Sequence, residues 1–412
     1  MKLAPRVLFV AYGGGHISMV LPVMRALRAQ VPTVHIDLIA LTTAYEAARA
    51  AGEKPLQYVD LMHLVDVTST AQCARLAPPS NHPHISEAEN QAYYDVNYWD
   101  LVQQFGEAEA AQRVADQGRY GFSPLGFFRR VLAYLRPDVV VATNSPRSEE
   151  AALEAAIGMG IPTLSMTDLF ALPYDKYHRR SVYADRVTVI GQKVKDTLRA
   201  SGVPDASLRV TGNPAFDGLT SPERKAQAQA FLVQQGWQGK TVVLWAGHVD
   251  DYSSANPDMQ NATDFPLQVE NALRAWTLAD ENRALIIRYH PNEMQHFPAG
   301  PEHPRIIVST RAQHIHEAIL AADAVVVQMS TVGLESATAG KPVVALVNSP
   351  SCLEFSFNYE QLGVAYAAKT IAELPAQLDY ALTHGSCAHG IRPAGSSAQL
   401  IAKEIEDLIP NH

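Results

Sequence analysis

Residues 12–16 read YGGGH, three glycines and a histidine at the end of an apolar run. Glycine has no Cβ, so Gly14 and Gly15 would let backbone N–H groups approach a ligand closely. A helix beginning here would add the positive end of its dipole, which favours an anion. His16 would lie in the first turn, where an imidazole can act as a base or donate to a phosphate or sugar hydroxyl. The alternative interpretation is a tight turn with an exposed histidine that has no role in ligand binding or catalysis.

A second group of polar residues follows a later apolar run, where residues 330–335 read STVGLE. Ser330 and Thr331 would place hydroxyls and backbone N–H groups at a helix N-terminus, which suits a phosphate or diphosphate. Gly333 would permit close approach, and Glu335 would lie one turn further along. A serine cap followed by a glutamate near the helix start is the structural alternative. It accounts for the cap but leaves the glycine unexplained.

Three further polar side chains come at the ends of predicted strands. His290 precedes a proline, which holds it in an extended conformation, so its ring can point into a cleft. Gly247 and His248 begin a long loop, and Asp168 ends the run PTLSMTD as a second candidate base. The glycine spacing differs from GxGxxG, which disfavours a nicotinamide cofactor. With no HExxH or DxD motif at a suitable place, no metal is expected either.

The elements that must position these residues alternate between strand and helix. Apolar β-rich runs separated by helical patterns predict parallel sheets with helices on both faces. The first set of runs covers residues 6–12, 33–41, 137–143, 162–167 and 186–191, and the second covers 241–247, 283–290, 305–310, 324–330 and 342–348. We therefore expect an α/β protein of two Rossmann-like, doubly wound domains. Ligands of such sheets bind at the carboxyl ends of the strands.

Length and composition agree with two soluble domains. The chain has 412 residues, 47% of them hydrophobic and 18% charged, with a net charge of −9. This charge argues against nucleic-acid binding and against more than peripheral contact with an anionic membrane. The three cysteines are scattered along the chain, and we find neither a signal peptide nor a long apolar run. These features predict a cytoplasmic protein. We place an N-terminal acceptor domain at 1–215, with a helical insertion near 77–135 that covers the core or closes on an acceptor. A C-terminal donor domain occupies 216–412.

Three stretches in this order resemble the GT-B superfamily, which contains nucleotide-sugar glycosyltransferases and UDP-N-acetylglucosamine 2-epimerases. They read YGGGHISMVLPVMRAL, YADRVTVIGQKVKDTLRASGVPDASLRVTGNPAFDGL and AADAVVVQMSTVGLESATAGKPVVALV. The first is closer to the transferases, including the N-acetylglucosaminyltransferase of peptidoglycan synthesis. The resemblance implies a GT-B fold with an interdomain cleft, a donor site that includes Asn213, and a ribose contact from Glu335. Similarity to sialyl- and Kdo-transferases implies that His290 contacts the donor phosphate.

The epimerase motifs are altered at several positions. Ser145 stands where that family has an Asp in a GD pair, and Thr167–Asp168 stand where it has a Glu. Its HRREN run is replaced by GHVDDYS, and its SGGxxEE run by STVGLES. Elimination and re-addition of UDP need acid and base groups on both faces of the sugar. These departures favour a transferase over an epimerase.

The sequence therefore predicts a metal-independent GT-B glycosyltransferase without a cofactor, its UDP- or CMP-sugar being a substrate. It would act on a sugar, lipid-linked or small-molecule acceptor in cell-surface glycan or glycoconjugate synthesis. His16 or Asp168 would be the catalytic base. If neither is, the next carboxylates to test as the base are Asp95, Asp100 and Glu107. A 2-epimerase and a catalytically silent nucleotide-sugar-binding subunit are the alternatives. A homodimer is an open option.

Overall fold

A computed structural model describes residues 4–66, 85–168, 170–171, 183–250, 261–290, 292–310, 312–356 and 358–410. The chain divides into two compact units. The first unit comprises Met1–Ala215 together with Ser396–His412, and the second comprises Phe216–Gly395. The first boundary agrees with the prediction. The assignment of residues 396–412 to the C-terminal domain is corrected, because this segment belongs to the first unit.

The physical reason for this correction is the last helix, Ser397–Leu408. Its residues Ala398, Ile401, Ala402 and Ile405 have the spacing of one apolar helical face, and all four are buried. They join the cluster that contains Val7 and other core residues of the first unit. Chain order alone would have left this helix with the second sheet.

The first unit contains six strands in one all-parallel sheet of order β2-β1-β3-β4-β5-β6. The strands are β1 Arg6–Tyr12, β2 His35–Leu41, β3 Val139–Thr143, β4 Thr163–Met166, β5 Arg186–Val189 and β6 Leu208–Val210. The helices are α1 Gly14–Gln30, α2 Thr43–Ala50, α3 Tyr58–Leu61, α4 Glu87–Phe105, α5 Glu107–Gln117, α6 Leu125–Leu135, α7 Ser148–Gly158, α8 Gln192–Ala200 and the last helix, α15.

The predicted insertion is part of the core. Its first residues, up to 84, lie outside the described residues, and the remainder forms helices α4, α5 and α6. Trp99 of α4 and Phe127, Phe128 and Val131 of α6 are buried in the cluster that contains Leu8 of β1. This burial makes the segment a covering layer of the core, and its role toward an acceptor stays a prediction.

The second unit contains six strands in an all-parallel sheet of order β12-β11-β10-β7-β8-β9. They are β7 Thr241–Gly247, β8 Arg283–Tyr289, β9 Ile306–Val308, β10 Ala324–Val327, β11 Val343–Leu346 and β12 Tyr366–Ala368. The helices are α9 Pro222–Gln234, α10 Asp264–Leu278, α11 Ile315–Ala321, α12 Thr331–Thr338, α13 Pro350–Glu354 and α14 Leu374–His384. The central strands β7, β8, β10 and β11 are almost wholly buried, as expected for a sheet covered on both faces.

Strand order places a switch point in each sheet. In the first sheet, the chain proceeds outward from β1 to β2 and then returns to the other side of β1 with β3. In the second sheet, it proceeds outward from β7 to β8 and β9 and then returns to the other side of β7 with β10. Ligands of open α/β sheets bind at the carboxyl ends of the strands beside such a point. Within the described part of the chain, no helix combines the length and the apolar character needed to cross a bilayer.

Candidate functional site

Each switch point carries a cavity. In the first unit, a cavity of about 370 Å³, here called the histidine cavity, lies where β1, β3 and β4 end. It is lined by Tyr12, Gly13, Gly14, Gly15, His16, Asn144, Ser145 and Asp168. The structure therefore brings together the glycine loop, His16 and Asp168, as the sequence predicted.

The glycine loop and the first helix overlap. Helix α1 starts at Gly14, so Gly14 and Gly15 form its first turn. Gly13 precedes it with φ +85°, a conformation that side-chain-bearing residues rarely adopt. The open first turn exposes Gly14 and Gly15 beside His16.

His16 is held by a buried carboxylate that the sequence did not identify. Its Nδ1 lies 3.1 Å from Oε1 of Glu149 and 2.6 Å from Oγ1 of Thr143. Thr143 donates its hydroxyl proton to Oε2 of Glu149 over 2.5 Å, so its oxygen is free to accept from Nδ1–H. Nε2 of His16 lies 3.6 Å from Oδ2 of Asp168. The imidazole thus bridges two carboxylates.

Glu149 has no solvent exposure, and its oxygens are fully engaged. Besides Thr143 and His16, it accepts from the backbone N–H of Tyr12 over 2.6 Å and of Ser145 over 2.9 Å. These contacts tie the ends of β1 and β3 to the start of α7. Glu149 therefore positions His16 and cannot reach a substrate. The feature of the sequence that could have indicated Glu149 is its position in the first turn of α7, directly after β3.

His16 is a cation at neutral pH. Burial by itself would lower its pKa, but the hydrogen bonds and charges of Asp168 and Glu149 outweigh this effect and raise the pKa to about 10. Of the two roles predicted for His16, a protonated imidazole suits the donor better than the base. Asp168, one-third exposed, remains the candidate base in this cavity.

Asn213 lines neither cavity. Its side-chain N–H donates to the backbone oxygen of Asp168 over 2.9 Å, and its side-chain oxygen accepts from the N–H of Ala215 over 2.9 Å. The structure places it in the first unit, where it holds the end of β4. Asn213 thus helps to position Asp168, and its contact with the donor stays a prediction.

In the second unit, a cavity of about 440 Å³, here called the strand-end cavity, lies where β7, β8 and β10 end. Six of the predicted donor-site residues line it: Gly247, His248, His290, Ser330, Thr331 and Glu335. Ser330 caps α12 by accepting from the N–H of Val332 over 3.3 Å. A capped helix N-terminus with two hydroxyls therefore opens into this cavity.

Gly333 has a packing role instead of the predicted ligand contact. A Cβ at this position would lie 3.0 Å from Cγ2 of Val327 and 3.2 Å from Cε2 of Tyr359. The glycine lets α12 pack closely against β10. The hydroxyl of Tyr359 in turn donates to the backbone oxygen of Ser330 over 2.7 Å.

His248 is engaged within its own loop. Its Nδ1 lies 2.8 Å from the carbonyl oxygen of Val249, and its Nε2 lies 3.3 Å from the N–H of Met329. This pattern requires a neutral ring with its proton on Nδ1. His248 therefore fastens the end of β7 to the end of β10, and its ring nitrogens are not available to a phosphate.

In the strand-end cavity His290 is open to solvent, whereas the Glu335 side chain is only 14% exposed. The His290 side chain is 53% exposed and lies 3.7 Å from Oε1 of Glu293. Oε2 of Glu335 lies 3.2 Å from Nε2 of His316. His316 belongs to α11, and the fold places it beside Glu335.

The fold has relatives of known structure. No protein-family model matches the sequence, and no curated protein matches it. A Listeria monocytogenes structure assigned as a UDP-N-acetylglucosamine 2-epimerase has a TM-score of 0.59 at 17% identity, covering 98% of this chain and 96% of that chain. UDP-GlcNAc 2-epimerase from Neisseria meningitidis, bound to UDP-GlcNAc, has a TM-score of 0.59 at 12% identity, covering 98% and 100%. UDP-GlcNAc 2-epimerase from Methanocaldococcus jannaschii has a TM-score of 0.56 at 12% identity, covering 98% and 99%.

The chain has the GT-B fold. At these identities the likeness extends to the fold alone. Both Rossmann-like units of the GT-B prediction are present, each with an all-parallel sheet of six strands.

Proposed function

We propose that this GT-B protein is a cytoplasmic glycosyltransferase that moves a sugar from a UDP-sugar to an acceptor hydroxyl. The observation that carries the proposal is the histidine cavity, which offers one accessible carboxylate, Asp168, beside a protonated imidazole. Glu149 is buried and engaged, so it cannot serve as a second acid or base for a substrate.

One base and one cation are what inverting transfer needs. Asp168 would accept the proton of the acceptor hydroxyl while the acceptor oxygen bonds to the anomeric carbon. The bond from that carbon to the diphosphate breaks, and its electron pair leaves with UDP. His16 would donate to a phosphate or sugar oxygen as negative charge develops. This division of roles follows from the raised pKa of His16.

The strand-end cavity is the proposed nucleotide site. Ser330, Thr331 and the N-terminus of α12 suit the diphosphate, and His290 can donate to it. Glu335 lines the same cavity and would accept from the ribose hydroxyls, as the sequence resemblance implied. Because the Neisseria meningitidis neighbour is bound to UDP-GlcNAc, UDP is the nucleotide we favour over CMP.

A UDP-N-acetylglucosamine 2-epimerase is the second candidate, and the neighbouring structures favour it. Elimination and re-addition of UDP require proton transfer on two faces of the sugar. Among the described residues that line the histidine cavity, Asp168 is the only one with a carboxylate. This count of available groups favours the transferase.

The test is incubation of the full chain with UDP-GlcNAc, other UDP-sugars and CMP-sugars, with products separated by chromatography. Slow UDP release without epimerisation, accelerated by an acceptor mixture, supports the transferase. Formation of a 2-epimerised UDP-sugar or free sugar overturns it in favour of the epimerase. Binding without any turnover indicates the silent subunit.

A further inference from the structure

A second cavity of the first unit adjoins the histidine cavity at Tyr12. This tyrosine pocket is lined by Tyr12, Tyr93, Tyr94, Glu89 and Arg119, among others, and has a volume of about 70 Å³. That volume is roughly twice the ~30 Å³ share of a liquid water molecule, so it admits a carboxylate- or phosphate-sized group. Tyr12 lines both cavities. The two cavities are therefore neighbours along the Tyr12 side chain.

The pocket wall contains a donor without an acceptor. The hydroxyl of Tyr93 is buried and has no hydrogen-bond partner. Its ring is fixed by edge contacts with Tyr58 and Phe122, at centroid distances of 5.5 and 5.6 Å. A buried unsatisfied hydroxyl is costly, and a ligand acceptor atom would satisfy it.

Two guanidinium groups lie beside the same rings. Arg119 lines the pocket, and Arg147 lies with its Cζ 5.2 Å from the centre of the Tyr12 ring. Within the described stretches, neither arginine makes an ion pair. Arg147 is only 8% exposed, its Nε is buried without a partner, and its φ of 69° is unusual for a residue with a side chain. Such uncompensated positive charge favours an anion.

Glu89 is the carboxylate of the pocket, and its charge is already directed elsewhere. Its oxygens accept from the backbone N–H groups of Tyr58 and Val59, over 3.2 and 3.0 Å. The rest of the lining includes three tyrosines and Arg119, together with Leu41, Thr42, Ile85 and Asn90. A tyrosine combines an apolar face with a polar tip, which suits a sugar ring with apolar C–H faces and polar edges.

We propose that the tyrosine pocket is an acceptor subsite for a hexose that carries an anionic substituent, a carboxylate or a phosphate. The inference rests on the proposed function and specifies its acceptor. The sugar ring lies along Tyr12 in the histidine cavity, and its anionic substituent enters the tyrosine pocket. There it accepts from Arg119 and from the hydroxyl of Tyr93.

The experiment is calorimetric titration of the full chain with glucuronate, glucose 6-phosphate and neutral glucose. We expect at least one charged sugar to bind about tenfold more tightly than glucose, and the two charged sugars distinguish a carboxylate from a phosphate. Arg119→Met should remove this preference, and Arg119→Lys should restore part of it. Arg113→Met is the matched control, because Arg113 pairs with Glu109 on the surface of α5 and should leave the preference unchanged.

Tyr93→Phe distinguishes an effect on the affinity for the charged sugar from an effect on the stability of the fold. Removing a buried hydroxyl without a partner should leave the melting temperature equal or higher, while the affinity for the charged sugar falls severalfold. Equal affinities for charged and neutral sugars, no binding of either charged sugar, or a preference that survives Arg119→Met would overturn the subsite. UDP is titrated in parallel. Normal UDP binding without charge preference rejects the subsite alone, and charge preference without UDP binding or turnover rejects the proposed function alone.

Discussion

The protonation of His16 is the feature on which the division of catalytic roles depends, and Glu149→Gln tests it. The variant keeps the size of the side chain but removes the buried negative charge that lies 3.1 Å from Nδ1. Loss of an opposite charge at this distance should lower the pKa of His16 by about 1–3 pH units from its value of about 10. Glu154→Gln, elsewhere on α7, is the matched control.

The same pKa predicts a pH dependence of stability. The pKa of His16 rises on folding, so the histidine stabilises the folded state. The stabilisation is complete when the pH is below 6.5, the ordinary histidine pKa, and it is lost as the pH rises through about 10. The difference between the two values corresponds to about 5 kcal/mol as an upper bound. The free energy of unfolding of the wild type, relative to His16→Gln, should therefore decline between pH 6.5 and 10.

Two measurements check this reasoning. NMR titration of labelled histidines, with the His16 signal assigned from His16→Gln, gives the pKa directly. Urea unfolding at pH 6 and pH 10 gives the stability difference between wild type and His16→Gln. A His16 pKa near 6.5, or a pKa that Glu149→Gln leaves unchanged, would refute the account and return His16 to the list of candidate bases.

Four further predictions follow from the same geometry. Asp168→Asn should lower kcat by ~10²–10⁴ with nucleotide affinity retained, whereas His16→Gln should keep substantial activity; near-normal turnover of Asp168→Asn would exclude it as the base. Glu335→Ala should weaken UDP binding by roughly 1–3 kcal/mol in calorimetry, and the exposed Glu354→Ala should not; unchanged affinity would argue against the ribose contact. Burial raises the pKa of Glu89 to about 7, although its carboxylate accepts two backbone N–H hydrogen bonds. The free energy of unfolding should therefore fall by about 3 kcal/mol between pH 4.5 and a pH above 7. In urea unfolding, Glu89→Gln should make this free energy less dependent on pH. UDP-sugar turnover should be unaffected by EDTA; a loss that Mg²⁺ or Mn²⁺ restores would contradict metal independence.

The strands and their grouping were predictable because the pattern is local. Strands buried on both faces appear as apolar runs, and runs such as RVLFVAY and TVVLWAG have the same bounds in the structure as in the prediction. The short strands β6 and β12, with three residues each, were missed because so few residues carry no clear pattern. Polar residues that directly follow predicted strands also proved informative, since parallel strands bring their carboxyl ends to one edge. This is why His290, Ser330 and Glu335 line one cavity.

What each predicted residue does within its cavity depended on contacts between distant parts of the chain. His248, Asn213 and Gly333 have the expected residue types at the expected strand ends, yet each is used to hold the fold together. Whether a polar atom faces a ligand or a backbone group depends on neighbours that sequence spacing does not reveal.

The amino-acid sequence by itself determined the two α/β units, the position of the glycine loop and about half of the residues that line each cavity, because hydrophobic periodicity and turn chemistry act over short stretches. Only the tertiary structure placed Glu149 behind His16, His316 beside Glu335, and α15 in the first unit. These pairings join residues separated by up to several hundred positions. The hydrogen bonds and charges of Asp168 and Glu149 then made His16 a cation against the effect of burial, because a pKa depends on groups that folding brings within a few ångströms.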